Sequence, residues 1–382
     1  HHESLERIRL ALENREFVLH YQPKVNMRTG EVVGAEALIR WRHPERGLLA
    51  PADFLPVIED HPLGVKVGEW VLASAIDQTQ AWRRAGLRLP VSVNVDALQL
   101  QQSDFIERLR ANLARHPDIQ PGDLELEILE TSALEDIARV SHVIYACREL
   151  GVGFALDDFG TGYSSLAYLK RLPVQQLKID QSFVRNMLED PDDLAILDGI
   201  VGLAEAFQRR AVAEGVETRA HGELLLRLGC ELGQGYAIAR PMPAEAVAGW
   251  VSSWQPETSW RNCPRVGRAG LPLLYAMAGH RAWVTALGCH LRDELTALPS
   301  LDYHQRRCGE WFDMIGAKRP AGDPDMVHIQ SLHGAVHDQA NALLDLRQRG
   351  RGVDALARLP EVEALRDALL ERLEAMIGAG PG

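Results

Sequence analysis

Between residue 17 and about residue 254 the chain alternates short apolar runs suited to strands with stretches whose apolar residues recur three to four apart. Few folds accommodate that rhythm. The strand candidates are 17–22, 32–40, 91–95, 123–128, 152–157, 176–180, 210–214 and 232–238. Helical spacing fills 66–85, 104–114, 137–149, 193–207 and 218–228, and 4–14 reads as an opening helix. Eight strands with mostly helical connections predict an α/β fold, a TIM-like (β/α)8 barrel. The first two runs are separated only by 23–31, which carries Asn26 and Gly30, a length suited to a hairpin. One barrel strand is therefore expected to run antiparallel to its neighbours.

The periodicity stops at 255–271, where Pro256, Pro264, Gly267 and Gly270 cluster, and helical spacing resumes beyond it. The expected organisation is a barrel over 3–254, a linker over 255–271 and a small all-α bundle over 272–378. His1 and His2 read as the remnant of an affinity tag and carry no functional weight.

Composition narrows the function. A formal charge of −12 disfavours a nucleic-acid polymer as partner, although a small nucleotide can be met by bound cations and one or two basic side chains. No run approaches the ~20 apolar residues of a membrane helix, and nothing reads as a signal peptide. Five scattered cysteines make no disulfide framework and fit a reducing cytoplasm.

In a barrel of this kind the strand ends converge on one face, where active sites are built. At or near them the sequence places Gln22, Glu36, Arg40, Asn94, Glu127, Asp157, Asp158, Lys178, Asp180, Glu214 and Gln234. Any one of these is ordinarily a helix cap or a solvated group. Together, Glu36, Glu127, Asp157, Asp158 and Glu214 would repel one another unless cations sat among them. All-oxygen ligands favour magnesium or manganese over zinc. Two such ions can clamp a phosphodiester, activate water and stabilise the departing oxygen.

Those positions fall in recognisable motifs: AEALIRW around Glu36, SVNV at 92–95, LELEILET at 124–131, DDFGTGYSSL at 157–166, LKID at 177–180, AEGVET at 213–218 and QGYAIARPMP at 234–243. In order and spacing over about residues 4–250 the chain resembles the EAL-domain cyclic-di-GMP phosphodiesterases. The resemblance implies hydrolysis of cyclic di-GMP to the linear dinucleotide pGpG. It implies that Glu36, Asn94, Glu127 and Asp157 hold one metal ion, and that Asp157, Asp158 and Glu214 serve a second. Lys178 would orient or activate the attacking water with Glu214 assisting as base, and Glu36 would share in catalysis. Gln22, Arg40, Asp180 and Gln234 would lie on the substrate side, and Glu217 would support the site. Glu130 matches the carboxylate that anchors the loop 159–166, which in the family links metal binding to dimer contact, so a homodimer through the barrel is expected. Some members of the family only bind the dinucleotide, having lost a ligand, the lysine or the anchor. None of those positions departs from the pattern here.

The helical region resembles the zinc-binding bundle attached to some chemoreceptors and diguanylate cyclases, through His280, Cys308, His333 and His337. These are the expected zinc ligands. One departure stands out: Cys308 directly precedes Gly309, whereas the family's cysteine stands three residues before that glycine, where this chain has Arg306. Two residues on a helix turn a side chain by ~200°, so Cys308 is expected to face away from the histidines, with His304 as its substitute. A bundle of this kind would regulate the barrel or sense a signal for it.

Overall fold

The computed structural model describes residues 2–162, 166–298 and 300–378. Positions 163–165 of the expected loop 159–166 lie outside the described residues. Two compact units divide the chain: His1–Val184, Gly199–Leu226 and Cys230–Cys263 form one, and Arg185–Asp198, Arg227–Gly229 and Pro264–Gly382 form the other.

The first unit is built on strands β1 (Phe17–Asn26), β2 (Val32–His43), β3 (Gly47–Leu49), β4 (Val91–Asn94), β5 (Leu124–Leu129), β6 (Gly153–Phe159), β7 (Gln176–Ile179), β8 (Arg210–Ala213), β9 (Leu232–Gly233) and β10 (Met242–Pro243). Parallel pairing runs β2–β4–β5–β6–β7–β8–β9. Antiparallel β1 pairs with both β2 and β9 and closes the ring. The result is an eight-stranded barrel with one reversed strand, and β3 and β10 are additions at its edges. The β1–β2 hairpin turns through Gly30, whose φ of 81° suits glycine. Outward-facing apolar residues on the strands pack beneath helices such as Pro62–Arg84, whose Val67, Val71, Ala75 and Ile76 are buried.

Two details depart from expectation. The run 232–238 pairs only over Leu232–Gly233, because the chain then passes against the residues following β8. A Cβ on Gly235 would lie 2.3 Å from the backbone N and O of Val216, so only glycine fits that crossing. The early part of 255–271 is also ordered against the first unit. Thr258–Arg261 is helical, Trp260 is buried, and its indole Nε1 donates to the Arg219 carbonyl at 2.9 Å. Gly222 leaves the space the Trp260 ring occupies.

The second unit contains helices Leu271–Leu291, Leu301–Gly316 and Pro324–Gln348, then Gly352–Ala357 followed by Leu359–Gly378. Asp323 caps the third, its side chain accepting from the Asp325 amide at 2.8 Å. Its core holds two apolar clusters, one around Trp311, Phe312, Ile329 and Leu373, the other around Trp283, Leu287, Leu343 and Val362.

Candidate active site

Alternation along each strand decides which side chains enter the barrel. Glu36 on β2, Asn94 on β4, Glu127 and Asp157 on β5 and β6, and Lys178 on β7 all reach the same rim. Glu214 follows β8 directly, and Gln234 follows β9. On reversed β1, Gln22 is the residue opposite Glu36, and it joins the rim from mid-strand.

Lys178 is the hub. Its ammonium lies 2.5 Å from Glu127 Oε2, 2.8 Å from Glu214 Oε1, 3.2 Å from Glu36 Oε2 and 3.3 Å from Asp157 Oδ1. Burial works against its charge, but Glu127, Glu214, Glu36 and Asp157 outweigh burial and hold its pKa well above the usual range. Burial would raise Glu127 too, yet Lys178 and then Lys24 bring it down to about 2. The remaining acids go the other way. Burial, with Asp157 and Glu36 adding to it against Lys178, pushes Glu214 up to about 8. Burial, with the neighbouring Asp157 charge, pushes Asp158 up to about 7. Asp157 is also raised by burial.

Glu36, Glu127 and Asp157 each offer an oxygen within 4.8 Å of the others, and so do Asp157, Asp158 and Glu214. The two trios share Asp157. Adjacent residues on a strand ordinarily face opposite ways, but β6 is irregular after Leu156, and Asp158 adopts a left-handed φ of 51°. That bulge brings Asp157 and Asp158 to the rim together. Asp180 hydrogen-bonds Asp158 and is itself held by the Ser182 amide at 2.8 Å.

The amides complete the rim. Asn94 Nδ2 donates to Glu36 Oε1 at 2.7 Å, so its nitrogen rather than its oxygen faces the acid in this rotamer. Gln234 Nε2 donates to Glu36 Oε2 at 2.7 Å and to Gln22 Oε1 at 2.9 Å. Gln234 Oε1 is buried and has no hydrogen-bond partner among the described residues. Arg40 is half-buried near Glu36 and Tyr236 and donates to the Ile39 carbonyl. Glu217 is exposed after β8, outside both trios. Glu130 lies behind the rim, fully buried; its Oε2 accepts from the amides of Gly160 (2.9 Å) and Gly162 (3.3 Å), and its Oε1 accepts from Tyr168 Oη (2.5 Å).

Reading strand ends alone misses a second polar layer, one alternation deeper, made of Lys24, Ser92, Glu125 and Gln176. Its signal is present in the sequence: polar residues recur at i and i+2 in VSVN, LELE and QLKI.

In the helical unit, the four expected ligands and His304 come together. His280, His333 and His337 offer atoms within 4.8 Å of one another, and so do His280, His304 and Cys308. The expectation that Cys308 turns away from the histidines is overturned. Cys308 Sγ lies 3.9 Å from His280 Nδ1 and 3.6 Å from His304 Nε2, because residues four apart share a helical face. Burial lowers His280 to about 4, His333 to about 3 and His304 to about 2, and it raises the Cys308 thiol. His337 is buried with both ring nitrogens unpartnered among the described residues.

Comparison with known proteins fits this geometry. The family profile described as "EAL domain" matches residues 5–241. The chain is 45% identical over 246 residues to the bifunctional diguanylate cyclase/cyclic di-GMP phosphodiesterase MucR of Pseudomonas aeruginosa, covering 64% of this chain and 36% of MucR. It is 39% identical over 247 residues to the cyclic di-GMP phosphodiesterase PdeR of Escherichia coli, covering 65% of this chain and 37% of PdeR. The chain therefore spans well under half the length of either relative. Among solved structures, the PaMucR phosphodiesterase in complex with c-di-GMP superposes with a TM-score of 0.62 at 45% identity, over 64% of this chain and 99% of that one. The FimX EAL domain from Pseudomonas aeruginosa bound to c-di-GMP gives 0.57 at 25% identity, over 62% of this chain and 96% of that one. No helix among the described residues is long and apolar enough to cross a membrane. The closed barrel with one reversed strand, the acidic rim and the match over most of the barrel unit make this chain a member of the EAL domain family.

Proposed function

We propose that the barrel hydrolyses one phosphodiester of cyclic di-GMP, giving pGpG, with two magnesium or manganese ions at its rim. The observation that carries this reading is the pair of oxygen trios sharing Asp157 around one buried ammonium. Two acids there are pushed up to about 7 and 8, so the rim does not hold all its negative charge unaided. Hard oxygen donors under that strain fit divalent cations of the magnesium type. Bound there, such ions would supply Lewis-acid stabilisation of the phosphoryl oxygens.

The chain's own groups have separable tasks. Glu36, Glu127 and Asp157, with Asn94, form one ligand set, and Asp157, Asp158 and Glu214 form the other. Glu214, with its raised pKa and its contact to Lys178, is placed to take a proton from water. Lys178 orients that water and offsets charge developing on the phosphate. Gln22, Arg40 and Gln234 meet the dinucleotide, with the unpartnered Gln234 Oε1 available to a guanine donor and Arg40 to a phosphate. Asp180 holds Asp158 on the substrate side, and Glu217 supports the site. Incubating the purified chain with cyclic di-GMP and Mn2+ should yield pGpG. Retained binding of the dinucleotide with no product would place the chain among receptors instead.

Glu130 connects the rim to the loop beginning at Phe159. Its carboxylate accepts two backbone amides and one hydroxyl, charge-assisted bonds usually worth ~1.5–3 kcal/mol each. Glu130→Ala is expected to cut turnover by about tenfold or more. In a homodimer joined through the barrel, it should also weaken association, read by sedimentation. Unchanged turnover would remove Glu130 from the mechanism. The free cysteines suit a cytoplasmic protein.

For the helical unit we propose a zinc site formed by His280, His333 and His337 with Cys308 or His304. The supporting observation is His337, whose two buried nitrogens have no other partner among the described residues. Lowered histidine pKa values leave neutral imidazoles ready to ligate. Elemental analysis is expected to give one zinc per chain in the wild type and none in His337→Ala. Absence of zinc from the wild type would remove the site. The unit's role would be regulatory.

A further inference from the structure

We infer that Lys24 is a positioning residue for the rim's cation site, fixing the orientation in which Glu127 presents itself as a ligand. The inference rests on the divalent-cation reading of the rim. Lys24 points into the barrel from reversed β1, two residues deeper than Gln22, and is 4% exposed. Its ammonium lies 3.1 Å from Glu127 Oε1 and 3.4 Å from Glu125 Oε1, and it also donates to Ser92 Oγ. Glu125 Oε1 in turn accepts from Ser92 Oγ at 2.9 Å and from Gln176 Nε2 at 3.1 Å. Gly34 on β2 faces the Lys24 stem: a Cβ there would stand 3.7 Å from Lys24 Cε, an ordinary contact, and 3.0 Å from the Pro90 carbonyl oxygen.

Stability gives little reason for this arrangement. Taking charges out of water is expensive, and apolar replacements of similar volume commonly serve a core as well or better. What the pair achieves is directional. One oxygen of Glu127 is tied from below by Lys24, and the other turns to the rim, where it meets Lys178 at 2.5 Å. A carboxylate held at both ends cannot swing about its side-chain torsions, so it presents one oxygen to a cation in one place. Supports of this kind, standing behind a ligand, commonly change metal affinity by 10–100-fold when removed.

Charge and positioning can be separated by design. Lys24→Met alone strands the Glu125 carboxylate and removes a positive charge near the cations, which by itself favours cation binding. Lys24→Met combined with Glu125→Gln leaves the net charge of the layer unchanged. Mn2+ binding to the full chain, measured by titration calorimetry, is expected to weaken by about tenfold or more in that double variant relative to wild type, with the melting temperature of the metal-free protein retained. Ser92→Ala, which keeps every charge but loosens Lys24, is expected to weaken Mn2+ binding in the same direction by several-fold, and serves should the double variant fail to fold. Wild-type Mn2+ affinity in a folded double variant, or in Ser92→Ala where the double does not fold, would overturn the role of Lys24. A wild-type chain that takes up no Mn2+ would instead remove the cation reading of the rim, and this inference with it.

Discussion

Lys178→Met is expected to lower turnover of cyclic di-GMP by roughly 10³-fold, the scale of losing a fixed charge that orients the attacking water and offsets charge developing on the phosphate, while cation binding becomes tighter. Both halves follow from one observation. The ammonium stands within 3.3 Å of four carboxylates that are also the proposed cation ligands. Removing it takes away a positive charge that repels cations and frees Glu127 Oε2, so Mn2+ should bind more strongly. Without metal the four acids lose their common partner, and breaking a buried ion pair costs about 3–5 kcal/mol. The metal-free variant should therefore melt well below wild type, and saturating Mn2+ should return much of the difference. Turnover should not return with it, since the water then lacks its orienting group. Calorimetry, thermal unfolding with and without Mn2+, and product analysis read the three effects separately. Recovery of turnover at high Mn2+ would make Lys178 a structural counterion only.

Asp157→Asn is the second large effect. Glu36 and Glu127 belong to one trio, and Asp158 and Glu214 to the other, but Asp157 belongs to both. An amide keeps its shape and loses its charge, so both proposed cations would lose a shared anion at once. Mn2+ affinity is expected to fall by at least about 100-fold, at or beyond the upper end of what ligand supports alone contribute, and no more than one ion should remain at accessible concentrations. By contrast, Glu217→Gln, outside both trios, should leave the count at two. Two ions bound by Asp157→Asn with wild-type affinity would show that Asp157 does not bridge them.

Much of this site is readable from the chain because two regularities coincide. Short apolar runs set between helically spaced stretches identify the strands, and the strand-end rule then collects Glu36, Asn94, Glu127, Asp157, Lys178, Glu214 and Gln234 at one rim. The hairpin length gives the reversed strand. What stays hidden is what breaks either regularity. Lys24 escapes because it lies beyond the expected end of the first run at Gln22, one alternation deeper in the barrel on reversed β1, where a rule about strand ends does not look. The orientation of Asp158 depends on a left-handed residue in a bulge, which alternation cannot express. The last barrel strand is cut to Leu232–Gly233 by a backbone crossing at Val216 that only the folded chain reveals. Trp260 gives order to a stretch whose prolines read as linker, because a single buried indole against Gly222 needs no periodicity. The spacing of the zinc-binding bundles points Cys308 away from the histidines, but its four-residue distance from His304 places both on one face.

A crystal structure of the chain soaked with cyclic di-GMP and Ca2+, a hard cation that also takes oxygen ligands, would test the account at its centre. Two ions are predicted, about 3.5–4 Å apart, both in contact with Asp157, with Lys178 drawn back from at least one carboxylate and the phosphodiester spanning the pair. An intact dinucleotide at the rim with the ammonium still among the four acids and no ion beside Asp157 would contradict it.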